Sequence, residues 1–351
     1  MRTSPNILTA LKLQSLIKQI LIVLLGFILL LLVTKGYPPS SWLAIYVFSS
    51  ILFVALDEYR TSFYSPEINE DLSESIKESA QNTQTLTHKD VHLEILQRGT
   101  WAWNTWRQES TLEINLSGTN LRRTDLTEVD FSDTNLSGAN LRETNLTRAN
   151  LQYADLRDSY LSRANLCEAN LAGANLSRAN LSEANFSRAN LNEAVLSRAH
   201  LGGANFSNAD LKEVNFSRSH LSEVNFSKAN LSESNFLLAD LSGANLMGAD
   251  LSGANLMGAD LSGASLQEAN LNGANLYRAD LCGSNLLNTI FSYANLTGAD
   301  LSEAELTFMV VEGAIFGNNR GLREEDKANL CARGAIFRDS PDSDVPILIE
   351  R

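Results

Sequence analysis

The sequence predicts an all-β solenoid, preceded by two transmembrane helices and flanked by capping helices. Three observations carry this. From Leu116 to Leu306 every fifth residue is Leu or Phe, 39 positions in succession, 32 Leu and 7 Phe. Two residues before each stands a smaller one, usually Ala (Ala139, Ala164, Ala204, Ala254), and the residue between is usually Asn or Asp. Ahead of this region lie two apolar runs, "ILIVLLGFILLLLV" at Ile20–Val33 and "SWLAIYVFSSILFVAL" ending at Leu56.

The two runs divide off residues 1–57 as a membrane hairpin. A spanning helix needs about 20 apolar residues, and Lys18 and Lys35 flank the first run where they can snorkel to the interfaces. "TKGYPPSS" joins the runs as a loop, and Tyr37, Trp42 and Tyr46 suit an interfacial belt. No small-x-small cleavage site follows the first run, which argues against a signal peptide. Arg2, Lys12 and Lys18 precede the first run, whereas the loop holds only Lys35. This bias predicts a two-helix membrane protein with both ends, and the repeat domain, in the cytoplasm. The lipid contact is expected over residues 19–56.

Residues 58–111 read as a polar helical linker and amino-terminal cap. Ser65 and Pro66 open one helix with acids in its first turn. "DVHLEILQRGTWAWNTWRQES" then reads as one amphipathic helix, with Val91, Ile95, Ala102 and Trp106 near one face. His88 and His92 share a helical spacing and read as two solvated histidines.

A period of five over residues 112–316 fits neither a 3.6-residue helix nor a two-residue strand. It requires a chain that turns after each short segment, with the large and the small apolar residue inward and three residues outward. Stacked coils then bury one another's apolar faces. The signs of the outermost residues alternate in ten of twelve positions from Arg178 to Glu233, and five of the seven Phe share one ten-residue phase.

The repeated "A(N/D)LSX" unit resembles the pentapeptide-repeat family. The resemblance implies a right-handed quadrilateral β-helix with four pentapeptides per coil, so that residues ten apart lie on opposite faces and residues twenty apart stack. On that geometry Arg178, Arg198 and Arg218 form one like-charged column and Glu193, Glu213 and Glu233 another. Asp240, Asp260, Asp280 and Asp300 form a column of carboxylates, with His200 and His220 above it. The flanks resemble cyanobacterial members, some of which carry amino-terminal membrane helices. Residues 317–351 read as a carboxyl-terminal cap helix, "GLREEDKANLCARG", then one more small-x-Phe unit (Ala335–Phe337) and a tail.

The chain is acidic, net −13 over 351 residues, which excludes a general nucleic-acid binder. Cys167, Cys282 and Cys331 form no CxxC and read as reduced, non-catalytic thiols. No catalytic motif is present, the polar groups diverge outward, and no cofactor, metal or small-molecule substrate is expected. Residues 112–239 carry 12 basic and 15 acidic residues, whereas 240–316 carry one basic and nine acidic. The sequence therefore points to a non-enzymatic scaffold that binds a partner protein through those outer columns. The family resemblance adds a rival, an acidic DNA-mimicking rod that acts on a topoisomerase. A purely structural part in a membrane assembly or transport process is the third reading.

Overall fold

The computed structural model describes residues 88–110 and 112–338. The membrane hairpin expected over 1–57, the Ser65 helix and the tail beyond Arg338 lie outside the described residues. Among the described residues no helix is long and apolar enough to cross a membrane.

The solenoid is built from one backbone unit repeated. Parallel bridges join every fifth residue to the one twenty further on, from Asn115↔Asn135 to Asp300↔Arg320, so each coil has four sides of five residues. About ten coils at strand spacing of about 4.8 Å span roughly 50 Å. We number the sides by their first bridging residue: face I (Asn115), face II (Asn120), face III (Asp125) and face IV (Asp130).

Where Asn or Asp holds the bridge position every N–H of the unit has a partner, and this explains the sequence pattern. The Leu201 N–H donates to His220 O in the next coil at 2.7 Å, and the Gly203 N–H to Ser222 O at 3.0 Å. The Asn205 N–H donates back to Ala184 O at 2.9 Å, and the Ala204 N–H closes the corner on Leu201 O at 2.9 Å. One donor remains at each corner, and the side chain before it takes that donor: Ser207 N–H reaches Asn205 Oδ1 at 3.1 Å. Asn and Asp recur because only a short side-chain oxygen can cap its own turn in this way. The outermost corner residue lies in the left-handed region throughout, for instance φ 59° at Arg198 and 67° at Gly253.

Leu, Phe and the small residues fill the interior. Phe186, Phe206 and Phe226 stack up face III at 4.6 and 5.1 Å, and Phe216 and Phe236 stack up face I at 5.0 Å. The two columns meet edge-on across the core, as between Phe206 and Phe216 at 6.1 Å. Residues ten apart thus oppose and residues twenty apart stack.

Two helices close the amino-terminal end, α1 (His88–Gln97) and α2 (Thr100–Glu109). The single helix expected here is broken at Gly99, whose φ of 105° and ψ of 165° no helix admits. The break folds α2 onto the first coil. Trp103 is fully buried, packs edge-on to Phe131 at 5.3 Å and donates Nε1–H to Asp130 O at 2.7 Å. Asn104 donates to Glu128 O and accepts from the Asp130 N–H, both at 2.8 Å, so the cap satisfies edge groups that an open coil leaves bare. His92 is 2% exposed and packs against Trp106 at 5.2 Å, so the expectation of a solvated histidine fails there.

At the other end β1 (Ile315–Phe316) pairs in parallel with β2 (Ile336–Phe337), and Phe337 stacks on Phe316 at 5.2 Å. Between them lies α3 (Glu324–Ala332), which buries Leu330 and opens with a capping box between Arg323 and Asp326.

Candidate interaction faces

Because the core is filled, the chemistry of this molecule lies in its outward columns. On face III Asn side chains form a ladder: Asn205 Nδ2–H donates to Asn185 Oδ1 at 3.2 Å, Asn225 to Asn205 at 3.1 Å and Asn245 to Asn225 at 3.2 Å. Each amide caps its own corner and binds the coil before it.

Face II departs from that rule. From His200 its bridge column runs His200, His220, Asp240, Asp260, Asp280, Asp300, Arg320. The two imidazoles are exposed and tilt against each other at 5.0 Å. Each carboxylate spends one oxygen on its own corner, Asp240 on Ser242 N–H at 3.0 Å, Asp260 on Ser262 at 2.9 Å, Asp280 on Cys282 at 2.9 Å and Asp300 on Ser302 at 3.0 Å. No hydrogen bond joins one of these carboxylates to the next, since a carboxylate has no donor. Four half-buried carboxylates therefore stand in file at strand spacing. Among the described residues only the last has a cation, Arg320 at 3.8 Å. The Ser302 hydroxyl and N–H, then Arg320, hold the Asp300 carboxyl below its ordinary value. Burial, then Asp280, Glu303 and Asp300, push the Cys282 thiol above its ordinary value, which keeps it protonated and a poor nucleophile. Among the described residues no cluster of three or more His, Cys, Asp or Glu is arranged to hold a metal ion.

The corner columns differ among themselves. Arg178 pairs with Asp158 one coil back, at 2.7 Å. Arg198, Arg218 and Glu193 have no ion-pair partner among the described residues, while Lys212 reaches Glu213 at 3.1 Å and Glu233 at 3.6 Å. The sequence reading passed over two other columns, one running from Arg123 through Glu143 and Arg163 to Glu183, the other from Glu128 through Arg148 and Glu168 to Arg188. Their signs alternate down the solenoid and pair along it, Arg123–Glu143 at 2.7 Å, Arg163–Glu183 at 2.9 Å, Arg148–Glu168 at 2.9 Å and Arg188–Glu168 at 3.2 Å. Arg123, with Arg122 beside it, lowers the Glu143 carboxyl to about 2. Reading every twentieth residue from Arg123 is the signal that finds them.

A cleft of about 830 Å³ opens at the carboxyl-terminal end of the solenoid, between its last coil and α3. There α3 replaces the next turn of face III, so Ala304 and Leu306 are only half-buried, and Phe308 is 71% exposed. Leu306 is the last of the 39 periodic positions, and only the end of the period marks this opening in the sequence.

The model of a repeat described as "Pentapeptide repeats" matches in eight overlapping copies between residues 113 and 318. No protein of curated function matches the chain. Among solved structures, HetL, a pentapeptide repeat protein involved in heterocyst differentiation regulation in the cyanobacterium Nostoc, is 34% identical. That match covers 59% of this chain and 91% of HetL, with a TM-score of 0.32. A pentapeptide repeat protein of the Arabidopsis thaliana thylakoid lumen is also 34% identical, over 34% of this chain and 74% of its own, with a TM-score of 0.27. QnrB1, a plasmid-mediated fluoroquinolone resistance protein, is 20% identical over 54% of this chain and 92% of its own, with a TM-score of 0.41. Since the repeat model matches over more than half of the chain, in register with the five-residue unit that shapes every coil, the chain belongs to the family of pentapeptide repeat proteins and is a right-handed β-helix solenoid.

Proposed function

We propose that this chain is a non-enzymatic scaffold, held at a membrane by residues 19–56, that binds a partner protein through the outer faces of its β-helix. The observation that carries the reading is the face II column of Asp240, Asp260, Asp280 and Asp300, of which the first three keep carboxylate oxygens that no neighbouring coil uses among the described residues. A row of like charges opposes the fold, so its presence fits a surface that meets a basic partner. The anchor rests on the two apolar runs ending at Val33 and Leu56, and the cytoplasmic side on the basic residues before the first run. The corresponding division of the chain is 1–57 anchor, 58–111 linker and cap, 112–316 β-helix and 317–351 cap and tail.

Affinity capture of the full chain from detergent-solubilised membranes, with in-cell crosslinking, tests this reading. Wild type should retain a protein that the variant D240N/D260N/D280N/D300N loses. Equal capture by both, or recovery of the chain in the soluble fraction, would overturn it. The topoisomerase reading draws on the excess of acid over 240–316, nine acidic residues against Arg278 alone. A gyrase supercoiling assay with the full chain at micromolar concentration decides it, since a DNA mimic must inhibit there.

A further inference from the structure

Face I carries a charge arrangement that the molecule satisfies only in part, Arg178 pairing with Asp158 and Lys212 with Glu213 and Glu233. The corner leading into this face bears Glu193, Glu213 and Glu233, and the corner leaving it bears Arg178, Arg198 and Arg218. On the amino-terminal coils the corners on either side of face III alternate in sign and pair along the solenoid. Over the coils from Arg178 to Glu233 the outermost residues of the two corners bounding face I instead segregate by sign, one edge acidic and the other basic, with Asp158 below Arg178 and Lys212 beside Glu213 as the local counter-charges. Arg198, Arg218 and Glu193 are left without an ion pair among the described residues. Between those edges stands Val195, where the neighbouring coils carry Asn175 and Asn215. Valine there cannot cap the following corner as Asn215 caps Ser217 at 3.0 Å, so the position forgoes a hydrogen bond to show an apolar group. Further along the same face stand Leu237, Leu238 and Met257, the last two 51% and 38% exposed.

We infer that face I is a self-association surface, and that its occupant is a second copy of this chain lying parallel to the first. The charges choose both the partner and its direction. A twofold axis parallel to the solenoid axis lays the acidic edge of one copy on the basic edge of the other, level by level, so that Glu193 meets Arg198 of the second copy and Glu213 meets Arg218. A twofold running across the face sets like charge on like and is repelled. The same parallel axis brings Val195, Leu237 and Met257 near their own counterparts, an apolar centre within a charged rim, as in specific protein interfaces. A surface meant only for solvent gains nothing from like charges filed at strand spacing, and the corners beside face III show that this backbone accepts the alternating solution.

Cysteine crosslinking of the full chain tests this. In a background with Cys167, Cys282 and Cys331 replaced by Ser, single substitutions Val195→Cys, Asn215→Cys and Asn235→Cys place thiols at three heights on face I. Under copper–phenanthroline all three should give disulfide-linked dimers, and Asn205→Cys on face III should not. Crosslinking at only one height indicates an antiparallel pair, and at none, or equally on face III, indicates no face I dimer; each outcome overturns the inference. Introducing Glu193→Arg with Glu213→Arg beside Asn215→Cys should lower the dimer yield at least tenfold, as should Arg198→Glu with Arg218→Glu. Mixing the two charge-reversed chains should restore it. Undiminished crosslinking of either reversed chain alone, or no recovery on mixing, also overturns it.

Discussion

Replacing Asp260 by Asn should stabilise the solenoid by about 2 kcal/mol. In the wild type the Asp260 carboxylate accepts from the Ser262 N–H at 2.9 Å and has Asp240 and Asp280 as its bridge neighbours. Two unit charges about 4.8 Å apart repel by roughly 0.9 kcal/mol in bulk water. With counter-ions screening this half-buried row, the two neighbours together oppose the fold by about 1 kcal/mol. Asparagine keeps the oxygen that caps Ser262 and adds a donor facing Asp240. The chain already makes that contact at Asn150–Asp130 (2.9 Å), Asn230–Asp210 (2.8 Å) and Asn270–Asp250 (2.9 Å). A partly exposed bond of this kind contributes about another 1 kcal/mol. Repeat proteins open locally, so the assay is hydrogen exchange at the Leu261 and Gly263 amides, which donate to Asp280 O and Cys282 O in the next coil. Urea unfolding of the full chain accompanies it. The same substitution should weaken partner capture, so stability and binding move in opposite directions. Unchanged or faster exchange in Asp260→Asn would mean that the carboxylate row is already balanced, and the reasoning from face II would fall.

Acid should weaken the amino-terminal coils first. The Glu143 carboxyl is lowered from its ordinary 4.5 to about 2, so the stability it confers is complete above the ordinary value and is lost as pH falls from there toward 2; an NMR titration in which Arg123→Gln with Arg122→Gln leaves Glu143 at about 2 would contradict this. Gly253→Ala should cost about 1 kcal/mol, because its φ of 67° is left-handed although the new Cβ meets only Glu233 Cγ at 3.6 Å. Gly321→Ala should cost several-fold more, its Cβ falling 2.2 Å from the Ser302 backbone N, and denaturation of both variants checks the order. Trp103→Ala removes a fully buried side chain and its bond to Asp130 O and should cost about 3–5 kcal/mol. Trp103→Phe should recover most of that, as read by the unfolding midpoint.

The period of five was legible because each coil repeats a local rule: a left-handed corner, an Asx cap and an inward Leu. Columns need the four-sided coil as well, which the family resemblance implied, and with it Asp240–Asp300 and Arg178–Arg218 fall in line at intervals of twenty. What a column does was not legible from residue type alone. Asn and Asp look interchangeable in the motif because either caps its corner, yet only Asn can also donate to the coil before it. The same position is therefore glue on face III and strain on face II. The caps were harder for a different reason. His92 and Gly99 owe their roles to the fold of α1 and α2 against a coil edge some 30 residues away in sequence, and no periodicity reaches that far outside the repeat. Where the period ends, at Leu306, the inward rule ends too, and the solenoid opens a cleft beside α3. A repeat thus states its interior in every unit, but its surface must be read twenty residues at a time. At that interval the two corners beside face III pair along their length, whereas on the corners bounding face I Arg198, Arg218 and Glu193 find no ion pair among the described residues, which leaves those charges available to another copy.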